Sequence, residues 1–282
     1  MKNIPALDPK VLDLVTEISK EPKVEAAMAF IKDQTEVAMQ EQIELCEIEA
    51  PTFHEEKRAA SVAERMRQYG LTDVHIDEIG NVIGIRKGSG NGPVLAIGAH
   101  MDSVFPAGTD VKVKKEGNIY RAPGIGDNCS GLRALLQVLR ALEKEDIRTV
   151  GDIWFVGTVG EEGNGDIRGS KHLCANNKLD GFVAIDSTDV GRVLYGAVGS
   201  HRWRLAVDGT GGHSSLTSAR LRAPFTPFAV PAISLPTSKF RKTPRPPSRL
   251  VRSRAVRRST RFPLTAKWTW ISAVFPMTNC FA

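Results

Sequence analysis

Six residues that could bind metal or transfer protons stand at the ends of apolar runs in the first two thirds of the sequence. They are His100 and Asp102 in GAHMDS, Asp127 in GIGDNCSG, Glu161 and Glu162 in GTVGEEGN, and Asp186 in VAIDST. A pair of divalent cations needs several anionic oxygens and an imidazole, brought together from separate parts of a chain. A single strand-end carboxylate is usually a solvated loop acid, so the inference depends on the joint pattern. That pattern predicts a two-metal hydrolytic site.

The spacing within two of these motifs suggests a division of roles. Asp102 lies two residues after His100 and could hold the second ring nitrogen, as carboxylates beside metal-bound imidazoles commonly do. Glu161 and Glu162 are consecutive, so their side chains point in different directions. One of them could bind metal while the other faces a bound water as general base.

The segments around these residues predict the elements that position them. Near-continuous apolar runs indicate buried strands at 93–100, 152–159 and 181–186, and helical spacing indicates helices at 24–47, 51–70, 130–144 and 169–177. Alternating strands and helices predict an α/β domain with a mostly parallel central sheet. Ligands of such sheets gather beyond the carboxyl ends of the strands, so the candidate residues are expected to meet at one rim.

The net charge of +6 averages two unlike parts. Residues 216–282 contain 13 Lys or Arg, no Asp or Glu and nine of the 16 prolines, whereas residues 1–215 are acidic overall. We expect this basic segment to be disordered. Binding of nucleic acid by the same segment is the alternative, but it carries no recognised nucleic-acid motif.

The rest of the composition bears on the cellular location of the protein and on its binding partners. The four cysteines, Cys46, Cys129, Cys174 and Cys280, form no CxxC pair, which favours reduced thiols and a cytoplasmic protein. The sequence has no apolar run of membrane-span length and no recognisable signal peptide. We therefore expect no membrane partner.

Taken together, the motifs resemble the co-catalytic zinc peptidases and deacylases grouped around peptidase T, carboxypeptidase G, aminoacylase and acetylornithine deacetylase. The resemblance covers roughly residues 25–215 and rests on GAHMDS, GIGDNCSG, TVGEEGNGDIRGSKH and VAIDS, in that order. It implies a three-layer α/β/α catalytic domain over residues 1–198. Residues 199–215 would then begin an α+β lid domain, which makes a homodimer in the family, and residues 216–282 would form a non-family tail.

The resemblance also implies a role for each residue. Asp127 would bridge two Zn²⁺ ions (or Co²⁺ or Mn²⁺). His100 and Asp186 would complete one ion's ligands, and Glu162 would bind the other. The catalytic residues would be Asp102, which orients His100, Glu161, the general base, and His213 in GTGGHSS, which would reach a partner's active site.

The implied activity is hydrolysis of a small peptide, as by an aminopeptidase or tripeptidase. Two alternatives stay open, an N-acyl-amino-acid deacylase and an inactive fragment with a basic nucleic-acid-binding tail. No histidine follows His213, whereas the family supplies a final histidine ligand near its C-terminus. Our hypothesis is a frameshifted or truncated product after about residue 215, with weak or absent hydrolysis.

Overall fold

The computed structural model describes residues 8–186, 193–194, 198–203, 206–207, 266–267 and 271–276. The chain divides into two compact units, Met1–Gly191 and Arg192–Ala282. The domain boundary expected from the sequence lies seven residues later, at residue 198. The six candidate residues up to Asp186 all lie in the first unit.

The first unit alternates helices and strands. Its helices are α1 (Pro9–Ser19), α2 (Pro22–Asp33), α3 (Thr35–Cys46), α4 (Glu56–Gln68), α5 (Cys129–Lys144) and α6 (Arg168–Asn176), with a 3₁₀ turn at Gly163–Gly165. Its strands are β1 (Asp73–Ile76), β2 (Val82–Arg86), β3 (Leu95–His100), β4 (Lys114–Glu116), β5 (Ile119–Arg121), β6 (Ile153–Thr158) and β7 (Gly181–Ala184).

Five of these strands form the central sheet, in the order β1-β2-β6-β3-β7. Strand β3 runs parallel to both of its neighbours, β6 and β7. Strand β2 is antiparallel to β6 and to β1, so it alone runs against the other four strands. The predicted α/β class with a mostly parallel sheet is confirmed.

Helices cover both faces of the sheet. On one face, side chains of α3, α4 and α5 pack with alternate residues of the strands into the larger core, which includes Leu45, Met66, Leu135 and Phe155. On the other face, Leu173 of α6 packs with Ile83, Ala96 and Val156. Strand residues that alternate between the two faces account for the near-continuous apolar runs in the sequence.

Two helices differ from the sequence-based expectation. The predicted helix over 24–47 is two helices, α2 and α3, separated at Gln34. The Thr35 hydroxyl there donates to the Lys32 carbonyl at 2.6 Å, and such a local bond competes with the helical ladder.

The predicted helix from Pro51 begins at Glu56 instead. Pro51 forms a bridge with Ser103, and the Thr52 N–H donates to the Ser103 carbonyl at 3.4 Å. The backbone before Glu56 is therefore hydrogen-bonded to the segment after β3 instead of forming a helix.

The described residues of the second unit form two strand pairs. β8 (Val198–Trp203) is antiparallel to β11 (Ile271–Pro276), and β9 (Ala206–Val207) is antiparallel to β10 (Ala266–Lys267). β10 and β11 lie within 216–282, the segment for which the sequence predicts disorder, and the remainder of that segment lies outside the described residues.

Cys46, Cys129 and Cys174 are free thiols, whereas Cys280 lies outside the described residues. Among the described helices, none has both the length and the apolarity of a bilayer span.

Candidate metal centre

The candidate residues of the first unit meet at the carboxyl edge of the sheet. His100 is the last residue of β3 and pairs in register with Thr158, the last residue of β6. Its Nε2 lies 2.9 Å from Asp127 Oδ1 and 3.8 Å from Asp186 Oδ2. The predicted convergence of separate chain segments at one rim is therefore observed for these residues.

Two triplets of donor atoms share His100. One contains His100, Glu161 and Asp186, and the other contains His100, Asp127 and Glu162. Within each triplet, one nitrogen and two carboxylate oxygens lie within 4.8 Å of one another. This spacing allows a single cation to contact the three donors of one triplet. Since Nδ1 is occupied by the Asp102 carbonyl, only Nε2 of His100 is free to bind metal.

The surroundings of His100 fix the orientation of its imidazole and hold the proton on Nδ1. The residue is 3% exposed, and its Nδ1 lies 3.0 Å from the backbone carbonyl oxygen of Asp102. A carbonyl oxygen only accepts, so Nδ1 carries the proton and donates it. Nε2 is then the nitrogen that faces Asp127 and Asp186. A fixed Nδ1–H is the arrangement that prepares Nε2 for metal ligation.

Asp102 has a different main contact from the one that the sequence suggests. Its carboxylate Oδ1 is 3.5 Å from His100 Nδ1, farther than its own backbone carbonyl. The carboxylate, which is fully buried, instead accepts the N–H of Glu161 at 2.9 Å, the N–H of Glu162 at 3.0 Å and the hydroxyl of Thr52 at 2.9 Å. Asp102 therefore fixes the backbone of the Glu-Glu pair as well as supporting the histidine.

The centre holds more acidic groups than basic ones. Burial raises the pKa of Glu161, Glu162 and Asp186, and neighbouring carboxylates raise it further. Burial by itself lowers the pKa of His100. The hydrogen bond and negative charge of Asp102, together with the charges of Asp186 and Glu161, outweigh the effect of burial and raise this pKa to about 9. Several acids thus surround one imidazole, and a divalent cation would relieve their repulsion.

The donor types indicate which cations fit. Each triplet combines one imidazole nitrogen with carboxylate oxygens and contains no thiolate. Zn²⁺, Co²⁺ and Mn²⁺ accept such mixed ligands, whereas Ca²⁺ and Mg²⁺ favour oxygen alone. The residues present therefore fit the divalent transition metals that the sequence suggests.

Asn128 connects the segment that carries Asp127 with the segment that carries Asp186. The sequence motifs did not reveal this role. Asn128 is the N-cap of α5. Its Oδ1 accepts the N–H of Gly131 at 3.1 Å, and its Nδ2 donates to the Ile185 carbonyl at 2.9 Å. A Cβ at Gly131 would lie 2.4 Å from that carbonyl oxygen. Glycine there allows α5 to approach the end of β7, which brings Asp127 and Asp186 together.

Two buried charged residues of the α4 region support the same loops. The Glu55 carboxylate accepts the N–H of Gly160 at 3.0 Å and the guanidinium of Arg168 at 3.0 Å. Arg58, which is 2% exposed, donates to the Met101 carbonyl at 2.7 Å, between His100 and Asp102. The acid at Glu55 and the base at Arg58 were visible in the sequence, but helical spacing alone does not reveal what they contact.

The roles of Glu161 and Glu162 are not separated by this geometry, because each belongs to one donor triplet. The assignment of Glu161 as base and Glu162 as ligand therefore stays a prediction. His213 lies outside the described residues.

Comparisons with known proteins identify the family to which the chain is similar. A family model described as Peptidase family M20/M25/M40 matches residues 96–278. The match extends past residue 215, where the sequence analysis ends the family-like part, and does not show a truncation. A provisionally named LysW-lysine/LysW-ornithine hydrolase from Pyrococcus abyssi is 35% identical over 120 residues, which are 43% of this chain and 32% of that protein.

Solved structures similar to the chain include two bacterial peptidases. A tripeptidase from Staphylococcus aureus subsp. aureus Mu50 is 30% identical, with a TM-score of 0.51, and the match covers 64% of this chain and 52% of that chain. The aminopeptidase PepT from Bacillus cereus gives the same coverage and TM-score at 23% identity, a likeness of fold. The chain spans about half the length of these structures and about a third of the curated relative.

Proposed function

We propose, from the premise that this chain belongs to the peptidase family M20/M25/M40, that its metal centre hydrolyses the amide bond of a small peptide. The observation that carries the proposal is the pair of donor triplets that share His100. Family membership makes the chain a hydrolase homologue. The reaction, the substrate and the metals are our proposal.

The two triplets would hold two divalent cations, Zn²⁺ or else Co²⁺ or Mn²⁺. His100 and Asp186 would bind one, Glu162 would bind the other, and Asp127 would serve both. Bound there, the cations would supply Lewis-acid polarisation of the scissile carbonyl and lower the pKa of water.

The remaining chemistry belongs to the side chains of the chain itself. We assign Glu161 the proton transfer, from the attacking water to the nitrogen of the leaving amine. Burial and neighbouring acids raise the pKa of its carboxyl group, which brings a general base closer to the pH at which it must both accept and release a proton. The bonds from Asp102 to the N–H groups of Glu161 and Glu162 keep this carboxylate in place during the transfer.

An N-acyl-amino-acid deacylase is the second candidate, because the curated relative is named as a hydrolase of LysW-lysine. A peptidase and a deacylase break the same kind of bond and differ in the group on the acyl side. The homodimer that the resemblance implies also stays a prediction.

The test compares two isosteric variants, Glu161→Gln and Glu162→Gln, on tripeptides and N-acetyl amino acids with Zn²⁺, Co²⁺ or Mn²⁺. Glu64→Gln, on an exposed part of α4, is the control. We expect EDTA to abolish hydrolysis and added metal to restore it. Glu161→Gln should lower kcat by roughly 10²–10⁴-fold with zinc binding retained, and Glu162→Gln should weaken zinc binding itself.

The outcomes separate the parts of the proposal. Loss of zinc binding in Glu161→Gln, with retention in Glu162→Gln, would reverse the two roles. Absence of hydrolysis with every metal and both substrate classes would refute the proposed function and support the expectation of an inactive chain.

A further inference from the structure

A cavity of about 310 Å³ lies at the same edge of the sheet as the metal centre. Its apolar walls include Phe53, Ile76, Ile79 and Val159, and its polar lining includes Glu56 and Arg168. The turn between β1 and β2, which contributes Ile79, lies at the carboxyl end of β6 because β2 and β6 are antiparallel. The cavity is large enough for an amino-acid side chain.

The cavity and the metal centre share a length of backbone. Val159, in the cavity wall, is followed by Gly160 and then by Glu161. Phe53, which also lines the cavity, follows Thr52, whose hydroxyl donates to the Asp102 carboxylate at 2.9 Å. A group in this cavity would therefore lie beside the segments that carry the candidate base.

Phe53 is held in an unusual conformation at this cavity. Its φ is 75°, in the left-handed region that bulky side chains seldom adopt. Its side chain is 50% exposed, and its ring lies over the Arg168 guanidinium at 5.2 Å. Strained residues of this kind cluster at ligand clamps, where the surrounding structure holds them.

Contacts around Phe53 stabilise this conformation. Arg168 donates to the Ile79 carbonyl at 2.8 Å and to both Glu55 oxygens at 3.0 Å. Ile76, on the same cavity, is 46% exposed. Two large apolar side chains thus stand partly open to solvent around one concave site, as expected for a surface that a ligand covers.

The charges of the cavity restrict what fits it. Glu55 and Arg168 pair with each other, and the exposed carboxylate of Glu56 then leaves the lining negative. Such a lining suits an apolar side chain, or an apolar stem with a cationic end, and repels an acidic one.

We propose that this cavity receives a side chain of the peptide substrate, from a residue that flanks the scissile bond, and that it selects long apolar or cationic side chains over small or acidic ones. This inference rests on the proposed function and adds the substrate class to it. Phe53 and Ile76 are the residues that set the selectivity.

The test measures kcat/KM for two peptide series, X-Gly-Gly and Gly-X-Gly, with X as Ala, Leu, Lys or Glu. In one series the wild-type chain should prefer Leu and Lys to Ala by roughly tenfold and disfavour Glu, as hydrophobic pockets discriminate. Phe53→Ala and Ile76→Ala should each reduce the Leu-to-Ala ratio by several-fold. Phe53→Leu, which keeps an apolar wall, should retain most of it.

Val150→Ala is the matched control, since Val150 is 62% exposed and precedes β6 at the opposite end of the strand. It should leave the ratio unchanged. Hydrolysis with a Leu-to-Ala ratio that Phe53→Ala and Ile76→Ala do not change would overturn the cavity assignment and leave the proposed function intact.

If no peptide is cleaved, the proposed function fails and the cavity is tested by binding. Saturation-transfer NMR with Leu-Gly-Gly and Glu-Gly-Gly should then show contact to the Leu side chain alone, lost in Phe53→Ala. Absence of that contact would overturn the assignment of the cavity.

Discussion

Replacement of Asp102 by Asn tests whether one buried carboxylate holds the metal centre together. The wild-type carboxylate accepts three hydrogen bonds, from the N–H groups of Glu161 and Glu162 and from the hydroxyl of Thr52. Asn has the same shape but replaces one acceptor oxygen by an NH₂ group. Because a donor would then face the Glu162 N–H and the Thr52 hydroxyl, at least one buried N–H group loses its partner.

The magnitude follows from these contacts. A hydrogen bond to a charged group contributes about 1.5–3 kcal/mol, and an unsatisfied buried group costs about 1–3 kcal/mol. Since the Thr52 hydroxyl can rotate and accept, we expect one charged bond lost and one N–H unpaired. The free energy of unfolding should fall by about 2.5–6 kcal/mol, a large part of the stability of a typical domain. Zinc affinity should fall about 10–100-fold, as for other changes behind metal ligands.

The assay is urea unfolding of the metal-free chain, followed by circular dichroism, together with zinc calorimetry. Asp152→Asn is the matched control, because that carboxylate also accepts a backbone N–H, from Gly88 at 2.9 Å, but lies 21% exposed at the other end of β6. We expect it to cost less than 1 kcal/mol. A free energy of unfolding for Asp102→Asn within about 0.5 kcal/mol of that of the control, the usual scale of surface changes, would refute the reasoning.

Two further predictions concern folding and pH. Arg58→Met should lower the free energy of unfolding by about 3–5 kcal/mol, because it leaves buried carbonyls such as that of Met101 without a donor. Urea unfolding measures this loss, with Arg67→Met, on the exposed side of the same helix, as the control. Equal losses in the two variants would contradict the prediction. Zinc affinity should rise about tenfold per pH unit between pH 6 and 8, since His100, whose pKa is raised to about 9, must release a proton to bind metal. Calorimetry across that range measures it, and a flat profile would contradict it. In the metal-free chain the raised pKa of His100 stabilises the fold fully below 6.5, its ordinary value, and that contribution is lost as pH rises through about 9.

The sequence reveals the ligand residues because they follow a regular plan. His100 ends one buried strand and Asp186 follows another, and strands that run in the same direction present their ends at one edge. The apolar runs identify the strands, so the approximate place of the site follows from the pattern alone.

The supporting contacts cannot be predicted in the same way. Thr52 was expected to begin a helix, and it instead donates to Asp102, about 50 positions later in the chain. Asn128 caps α5 and also reaches the end of β7. Such contacts depend on how separate elements pack, and local propensity or periodicity carries no information about them.

The identity of the group that orients His100 is a related case. The His-x-Asp spacing suggests the carboxylate, whereas the nearer acceptor is the backbone carbonyl of Asp102. The carboxylate is turned toward the Glu-Glu pair, whose proximity comes from the parallel pairing of β3 and β6. The two-residue spacing identifies Asp102 as the residue that orients His100. It does not determine whether the carboxylate or the backbone carbonyl of Asp102 makes the contact.

The carboxylate of Asp102 also has a consequence for how this site can change. It connects the loop before α4, the end of β3 and the segment after β6, so the effects of substitutions in these three places depend on one another. Replacements at Thr52 and at Asp102 should show strong epistasis, because the side chains of both residues form one hydrogen bond. Directed evolution of a new substrate range should therefore proceed more easily through the walls around Phe53 and Ile76 than through the residues that contact Asp102.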